Sequence, residues 1–298
     1  MPRFRLSLVF LLFLSGAAAA WGQDYPAREV SRPLLLPRRL MELDLETSLF
    51  TTDRVYDDQS ALVHQSGDYQ LWDWQIDLKY GIRDWLQFAG ELPYLSGRLE
   101  QAHGAGFGDL AGEFSFRLLN RPDLIQVAGL FRASYPTGIH DHGEDIYAGQ
   151  VIQTGWITGD PGWDFYPGLA AKLIRPNWAL EGRAEYWIRS PGTVDQNVGV
   201  FSDTATLDPG DGFYLQARAI YQAGDKLALR LGTEFTSLDA GTLDHQRLRD
   251  QKQILLLEPS VLFQVNREFD FYFGFGYTLW GRNTGYGFPW MLGFRSRI

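Results

Sequence analysis

The sequence predicts an all-β fold, an antiparallel transmembrane β-barrel of about twelve strands of outer-membrane type, from three observations. Apolar residues recur at every second position through nearly the whole chain, the period of a strand with one apolar face. The connections between these segments alternate between tight turns and longer polar loops, as in outer-membrane barrels. The chain also opens with the pattern of a secretory leader, and no later segment approaches the twenty or so continuous apolar residues of a helical span. In hydrocarbon only helices and closed barrels satisfy every backbone group, so exported strands with so much apolar face imply closure around a lumen.

Residues 1–22 carry the leader pattern: Arg3 and Arg5, then the apolar run Leu6 to Leu14, then Ala17 to Ala20 as a cleavage site after Ala20 or Gly22. A signal peptide is therefore expected, with export to the bacterial outer membrane. Removing its two arginines takes the formal charge from −9 to −11, against the basic footprint that nucleic-acid binding needs. The absence of cysteine excludes disulfides and a cysteine-linked lipid anchor.

Residues 23–39 form a basic segment in which Pro26, Pro33 and Pro37 break any periodicity and Arg28, Arg32, Arg38 and Arg39 supply charge. The expected state is a loose periplasmic tail, because termini are usually disordered unless tied down. The alternative is a segment tucked into an acidic lumen mouth near Glu42, Asp44 and Glu46.

Residues 40–298 then form the barrel. Twelve strands are predicted to begin near Leu40, Tyr69, Trp85, Phe107, Leu124, Trp163, Trp178, Gly212, Lys226, Gln253, Phe269 and Pro289. Tight turns fall at 83–84, 119–123, 175–177, 222–225 and 266–268. The longer connections are 52–68, 96–106, 136–162, 190–211, 239–252 and 281–288. The last strands show the alternation most clearly: Phe269, Phe271, Phe273 and Phe275 take one face, while Asp270, Tyr272 and Gly274 take the other. Ile125, Val127, Phe131, Tyr135, Leu180, Tyr186, Leu257 and Phe263 are likewise placed outward. An arginine or lysine facing mid-bilayer lipid costs about 2–4 kcal/mol, so Asp77, Lys79, Glu113, Arg117, Glu181, Arg183, Glu185, Arg230, Glu234, Arg295 and Arg297 are placed in the lumen. Tyr80, Trp85, Trp178, Tyr221 and Phe269 are expected in a periplasmic aromatic girdle. Trp72, Trp163, Phe213, Trp280 and Trp290 are expected in an outer one.

Two stretches carry a family resemblance. Tyr80-Gly-Ile-Arg-Asp-Trp-Leu-Gln-Phe-Ala-Gly-Glu-Leu-Pro-Tyr94 is followed by Gly106-Phe-Gly-Asp-Leu110, Phe116-Arg-Leu-Leu119 and Tyr135-Pro-Thr-Gly138. Their order resembles the outer-membrane transporter family of the meta-cleavage phenol-degradation pathway, mainly over residues 69–138. Arg117 and the short loop before Gly106 depart from that family's usual form. The resemblance implies a barrel that passes small hydrophobic or aromatic compounds. Read for themselves, Gly106, Gly108, Pro93 and Pro136 sit at strand ends where glycine and proline serve architecture, and Asp109 is expected to point inward beside Glu113.

The functional expectation is a channel or transporter for passive passage of small hydrophobic or amphipathic compounds, with outer-membrane lipid and a small-molecule solute as its partners. It is expected to be no enzyme and to need no cofactor. Apolar and aromatic side chains at inward positions (Leu130, Ile254, Leu256, Leu262) exceed what an aqueous pore requires, and either solute contact or plain lumen filling would explain them. Tyr166, Trp187, Tyr214 and Tyr272 are the candidate solute contacts. Arg183, Glu185, Arg218, Arg230 and Glu234 are candidates for setting lumen polarity, or for a self-neutralising network of paired charges. A structural or partner-recruiting envelope barrel without transport is the main alternative. A lesser one is a lipid hydrolase, because His64-Gln-Ser66 resembles the H-x-S core of outer-membrane phospholipase A, although Gly67 stands where that family has asparagine and the tripeptide is placed in a loop. His140 and His142 with Glu144 and Asp145, and Asp208-Pro-Gly-Asp211, have spacings that could hold a divalent cation, against the simpler reading of solvated loops and turns.

Overall fold

The computed structural model describes residues 25–99, 102–138, 144–147, 150–153, 158–198 and 201–298. Its main body is a closed barrel of twelve antiparallel strands. In chain order these are β1 (Met41–Tyr56), β2 (Leu62–Arg83), β3 (Leu86–Leu99), β4 (Ala102–Phe107 continuing as Leu110–Arg121), β5 (Ile125–Tyr135) and β6 (Asp164–Ile174). There follow β7 (Trp178–Arg189), β8 (Gly212–Gln222), β9 (Leu227–Leu238), β10 (Lys252–Gln264), β11 (Phe269–Phe275 continuing as Tyr277–Arg282) and β12 (Thr284–Tyr286 and Trp290–Arg297). Each strand pairs with its neighbours in sequence, and β12 returns to β1 in a register running from Glu42↔Arg297 to Leu49↔Trp290. That last pairing leaves the barrel without an edge, as lipid requires.

The period-two pattern is the reason for this shape. Along β2, Trp72, Trp74, Ile76, Leu78 and Tyr80 are all exposed on the outer face, while Asp73, Gln75, Asp77 and Lys79 between them turn into the lumen. The outward residues of β5, β7 and β10 named above follow the same rule. Both predicted girdles are present as exposed or half-exposed aromatics. Across neighbouring strands the outer rows touch, as in the edge-on pair of Tyr135 and Trp163 at 4.7 Å and the stacked pair of Tyr277 and Phe288 at 4.8 Å.

The predicted loops are more regular than expected. Most of the connection 52–68 is strand, since β1 and β2 continue pairing to Tyr56↔Leu62 and leave only 57–61 as a turn. There the Asp57 carboxylate accepts from the backbone N–H groups of Gln59 and Ala61. The connection 96–106 is also mostly strand, with Leu95↔Gly106 and Leu99↔Ala102 in register. Residues 192–198 and 201–208 form a hairpin that pairs with 242–243, so two separate loops join in one small sheet. Polar, glycine-rich composition suggested irregular loops, but a strand that leaves the membrane needs no apolar face to remain paired.

The larger correction concerns residues 25–40. They are no loose tail: they fold back as a plug into the end of the barrel that carries the tight turns and the C-terminus, the periplasmic end in barrels of this kind. Val30 is fully buried among Ala179, Ile220, Ala228, Leu262 and Tyr272. Leu34 and Leu35 pack on Ala128, Leu130 and Ala170. Because the segment has no regular structure beyond one short turn at Glu29–Ser31, its backbone must find partners on the wall. Leu34 N–H donates to Gln126 Oε1 at 2.6 Å and Leu36 N–H to Gln87 Oε1 at 2.8 Å. The Ala27 carbonyl accepts from Gln264 Nε2 and the Glu29 carbonyl from Lys172 Nζ. Gly81 allows the closest approach, for a Cβ there would overlap the carbonyl of Pro37.

Candidate functional site: the lumen above the plug

Charged residues fill the lumen in layers. In the lowest, Arg32 of the plug forks onto Asp270, with Nη1 to Oδ2 at 2.5 Å and Nη2 to Oδ1 at 2.9 Å. Arg297 reaches the same carboxylate at 2.6 Å and Glu42 at 2.8 Å. Arg295 then joins Asp44 at 3.0 Å, Glu42 at 3.6 Å and Glu29 at 3.6 Å. Arg32, Arg297, Glu29, Glu42 and Asp270 are all buried, so each needs the others. Burial alone would raise the Glu29 carboxyl, but Arg32, Arg295, Arg230 and Lys172 together hold it well below its usual range. Tyr25 lies under the same guanidiniums, with Arg297 over its ring at 5.1 Å.

Above the plug is a chamber of about 480 Å3, bounded by Asp44, Lys79 and Arg295 below and by Trp187, Tyr214 and Glu258 on one side. Three neighbouring strands, β6, β7 and β8, supply an aromatic ladder. Tyr166 meets Trp187 edge-on at 5.5 Å, and Trp187 stacks on Tyr214 at 6.1 Å with 16° between planes. Arg132 lies over Tyr166 at 4.9 Å and is itself paired with Glu91 at 2.6 Å. Tyr214 donates to Glu234 at 2.9 Å, which also accepts from Gln216. Arg183 bridges Glu113 and Glu185. Tyr272 forms part of the floor, its hydroxyl donating to Asp44 at 3.0 Å and Glu46 at 2.7 Å, with Arg230 over its ring at 4.7 Å.

Eight of the nine candidate residues line this one chamber: Trp187, Tyr214, Tyr272, Arg183, Glu185, Arg218, Arg230 and Glu234. The ninth, Tyr166, stands against Trp187 at its margin. Of the five candidate charges Arg183 and Glu185 are paired with each other, whereas Arg218, Arg230 and Glu234 take part in no ion pair among the described residues. Two of the apolar inward residues prove to serve the plug, since Leu130 and Leu262 pack against it.

The residues that fasten the plug were not anticipated. Gln87, Gln126, Lys172, Gln264 and Asp270 share one inward parity near the tight turns. That ring of polar residues was visible in the alternation, but nothing local to it says that a segment up to 238 positions away will bind there.

Other expectations resolve differently. Asp109 does not join Glu113; its carboxylate accepts from the backbone N–H groups of Gly138 at 2.9 Å and Asp160 at 2.7 Å, pinning the loop that follows β5. Leu110 N–H donates to Thr137 Oγ1, so the Gly106–Leu110 and Tyr135–Gly138 motifs meet as one joint. Asp211 accepts from Arg189 N–H and from Tyr186, an architectural use of the Asp208–Asp211 turn. His140 and His142 lie outside the described residues, and among the described residues no cluster of metal-ligating side chains occurs. His64 and Ser66 lie on β2 and not in a loop; His64 is exposed and faces Asp53 at 3.5 Å.

No family model and no curated protein matches the sequence, so the resemblance over residues 69–138 rests on its motifs. Solved structures do match. The COG4313 outer membrane channel from Pseudomonas putida F1 superposes with a TM-score of 0.70 at 15% identity, covering 93% of this chain and 99% of that one. The translocator domain of the autotransporter NalP from Neisseria meningitidis gives 0.54 at 11% identity, covering 88% and 90%. The CymD monoaromatic hydrocarbon channel gives 0.47 at 9% identity, covering 88% and 89%. At 15% identity the likeness to the first of these shows the fold alone, a barrel of outer-membrane type.

Proposed function

We propose that the protein is an outer-membrane channel for the passive passage of small hydrophobic or amphipathic compounds, aromatic ones included, and that its own N-terminal segment closes it at the periplasmic end. One observation carries the reading: a chamber of about 480 Å3 lies directly above the plug, with an aromatic ladder on one wall and paired charges around it. A solute arriving from the loop end would lose water against Trp187 and Tyr214 while its polar group stays among lumen charges. The size of the chamber suits a single small molecule. Passage onward requires the plug to loosen, and the Arg32–Asp270 fork is the contact most directly in the way.

The test is efflux of a small aromatic alcohol from liposomes that contain the refolded protein. Full-length chain should release it slowly, and a chain lacking residues 25–39 should release it much faster. The alternative of an envelope barrel without transport draws support from how thoroughly the plug is fastened. It predicts that neither protein raises efflux above empty liposomes.

A further inference from the structure

The lumen charges are not evenly satisfied. Arg32, Arg132, Arg183, Arg189, Arg295 and Arg297 each contact a carboxylate. Arg218 and Arg230 do not, and among the described residues neither forms a hydrogen bond. Both line the chamber. They are diagonal neighbours on β8 and β9, because Arg218 pairs with Gly232 and Arg230 with Ile220. Arg230 is only 7% exposed, and its Nε is buried without a partner. The Tyr272 ring at 4.7 Å holds the guanidinium by its face and leaves its N–H edge free. Glu181, Glu234 and Glu258 stand near Arg218 but beyond ion-pair contact. A buried cation with unfilled donors beside a second cation is costly, and it is retained most readily where an anion arrives to complete it.

Next to these arginines the wall becomes aromatic. Tyr214 and Arg218 are inward residues of the same strand, four positions apart, which spans ~13 Å along the backbone. The Trp187–Tyr214 stack therefore stands about one ring-and-side-chain length above the arginine pair. We infer, resting on the channel reading above, that the solute of this chamber is an arylalkyl carboxylate, its ring on Trp187 and Tyr214 and its carboxylate held by Arg218 and Arg230. Planar guanidiniums match a carboxylate in two-point geometry, and the site would prefer the anion to a neutral compound of equal shape.

The test is calorimetric titration of the refolded full chain in detergent micelles with 3-phenylpropionate, its neutral analogue 3-phenylpropanol, and inorganic phosphate. The carboxylate should bind at least about tenfold more tightly than the alcohol, the scale of one charge-assisted hydrogen bond. Arg230→Gln should abolish that preference while leaving alcohol binding within about twofold, and Arg230→Lys should restore part of it. An unheated gel-mobility shift confirms that each variant is a folded barrel. Equal binding of acid and alcohol would overturn the anion inference and leave the aromatic channel standing. Phosphate binding as tight as the carboxylate would overturn the aryl part. No binding of either aromatic compound would remove the channel reading on which the inference rests.

Discussion

Tyr272 can take its place in the lumen floor only because the residue beside it on β12 is glycine: a Cβ at Gly293 would overlap the Tyr272 ring. Gly293→Val should therefore expel the ring from beneath Arg230, break its hydrogen bonds to Asp44 and Glu46, and lower unfolding free energy by about 1–3 kcal/mol in denaturant titration. Asp270 is the second decisive position. It is fully buried and shared by Arg32 and Arg297, so Asp270→Asn leaves two guanidiniums short of a counter-charge and should cost about 3–5 kcal/mol in the same assay. At this scale the sequence was informative about direction and silent about partners. Alternation placed Tyr272, Arg230 and Arg295 inward. That Arg295 joins Asp44 while Arg230 joins no carboxylate depends on strand register and side-chain reach, which no single strand encodes.

The element that sequence reading misjudged is the plug. Its three prolines erase the periodicity by which strands are recognised, and its arginines look like a solvated basic tail. Yet Val30, Leu34 and Leu35 are apolar residues in a segment that no amphipathic pattern explains, and they pack in two clusters against different parts of the wall. The side chains that hold its backbone come from β3, β5 and β10, where Gln87 and Gln126 accept and Gln264 donates, and only the closed barrel brings these strands together. A pH prediction follows from Glu29. Its carboxyl is held below the ordinary 4.5, so its ionised form contributes stability that is complete above about 4.5 and is lost only as pH falls through the depressed folded value. Plug docking, read by protection of the segment around Leu35 from proteolysis, should therefore survive acidification to pH 4 and fail only in stronger acid. Early loss of protection, between pH 6 and pH 5, would contradict the ion-pair account of docking.

The whole molecule was the most legible level. All twelve strands were predicted, because a period of two persists over enough residues to fix both the face and the count. The chief error was to start β2 at Tyr69, where the structure has it leave the outer turn at Leu62. Beyond the membrane the alternation fades while the pairing continues, so the hairpin extensions were read as loops. The exposed aromatic and aliphatic outer face follows from the same arithmetic, and its dependence on lipid can be measured. Phe131 is outward and 46% exposed, and Phe131→Arg should lower stability in lipid by about 2–4 kcal/mol, with a much smaller effect in a polar-headed detergent.

The claim that joins these scales is that a lumen pathway exists and that residues 25–39 close it. Single-channel conductance in planar bilayers, full-length protein against the chain lacking 25–39, tests it most directly. The account predicts rare or small openings for the full chain and steady, larger currents once the segment is gone. Equal conductance from both proteins, with insertion verified, would contradict it.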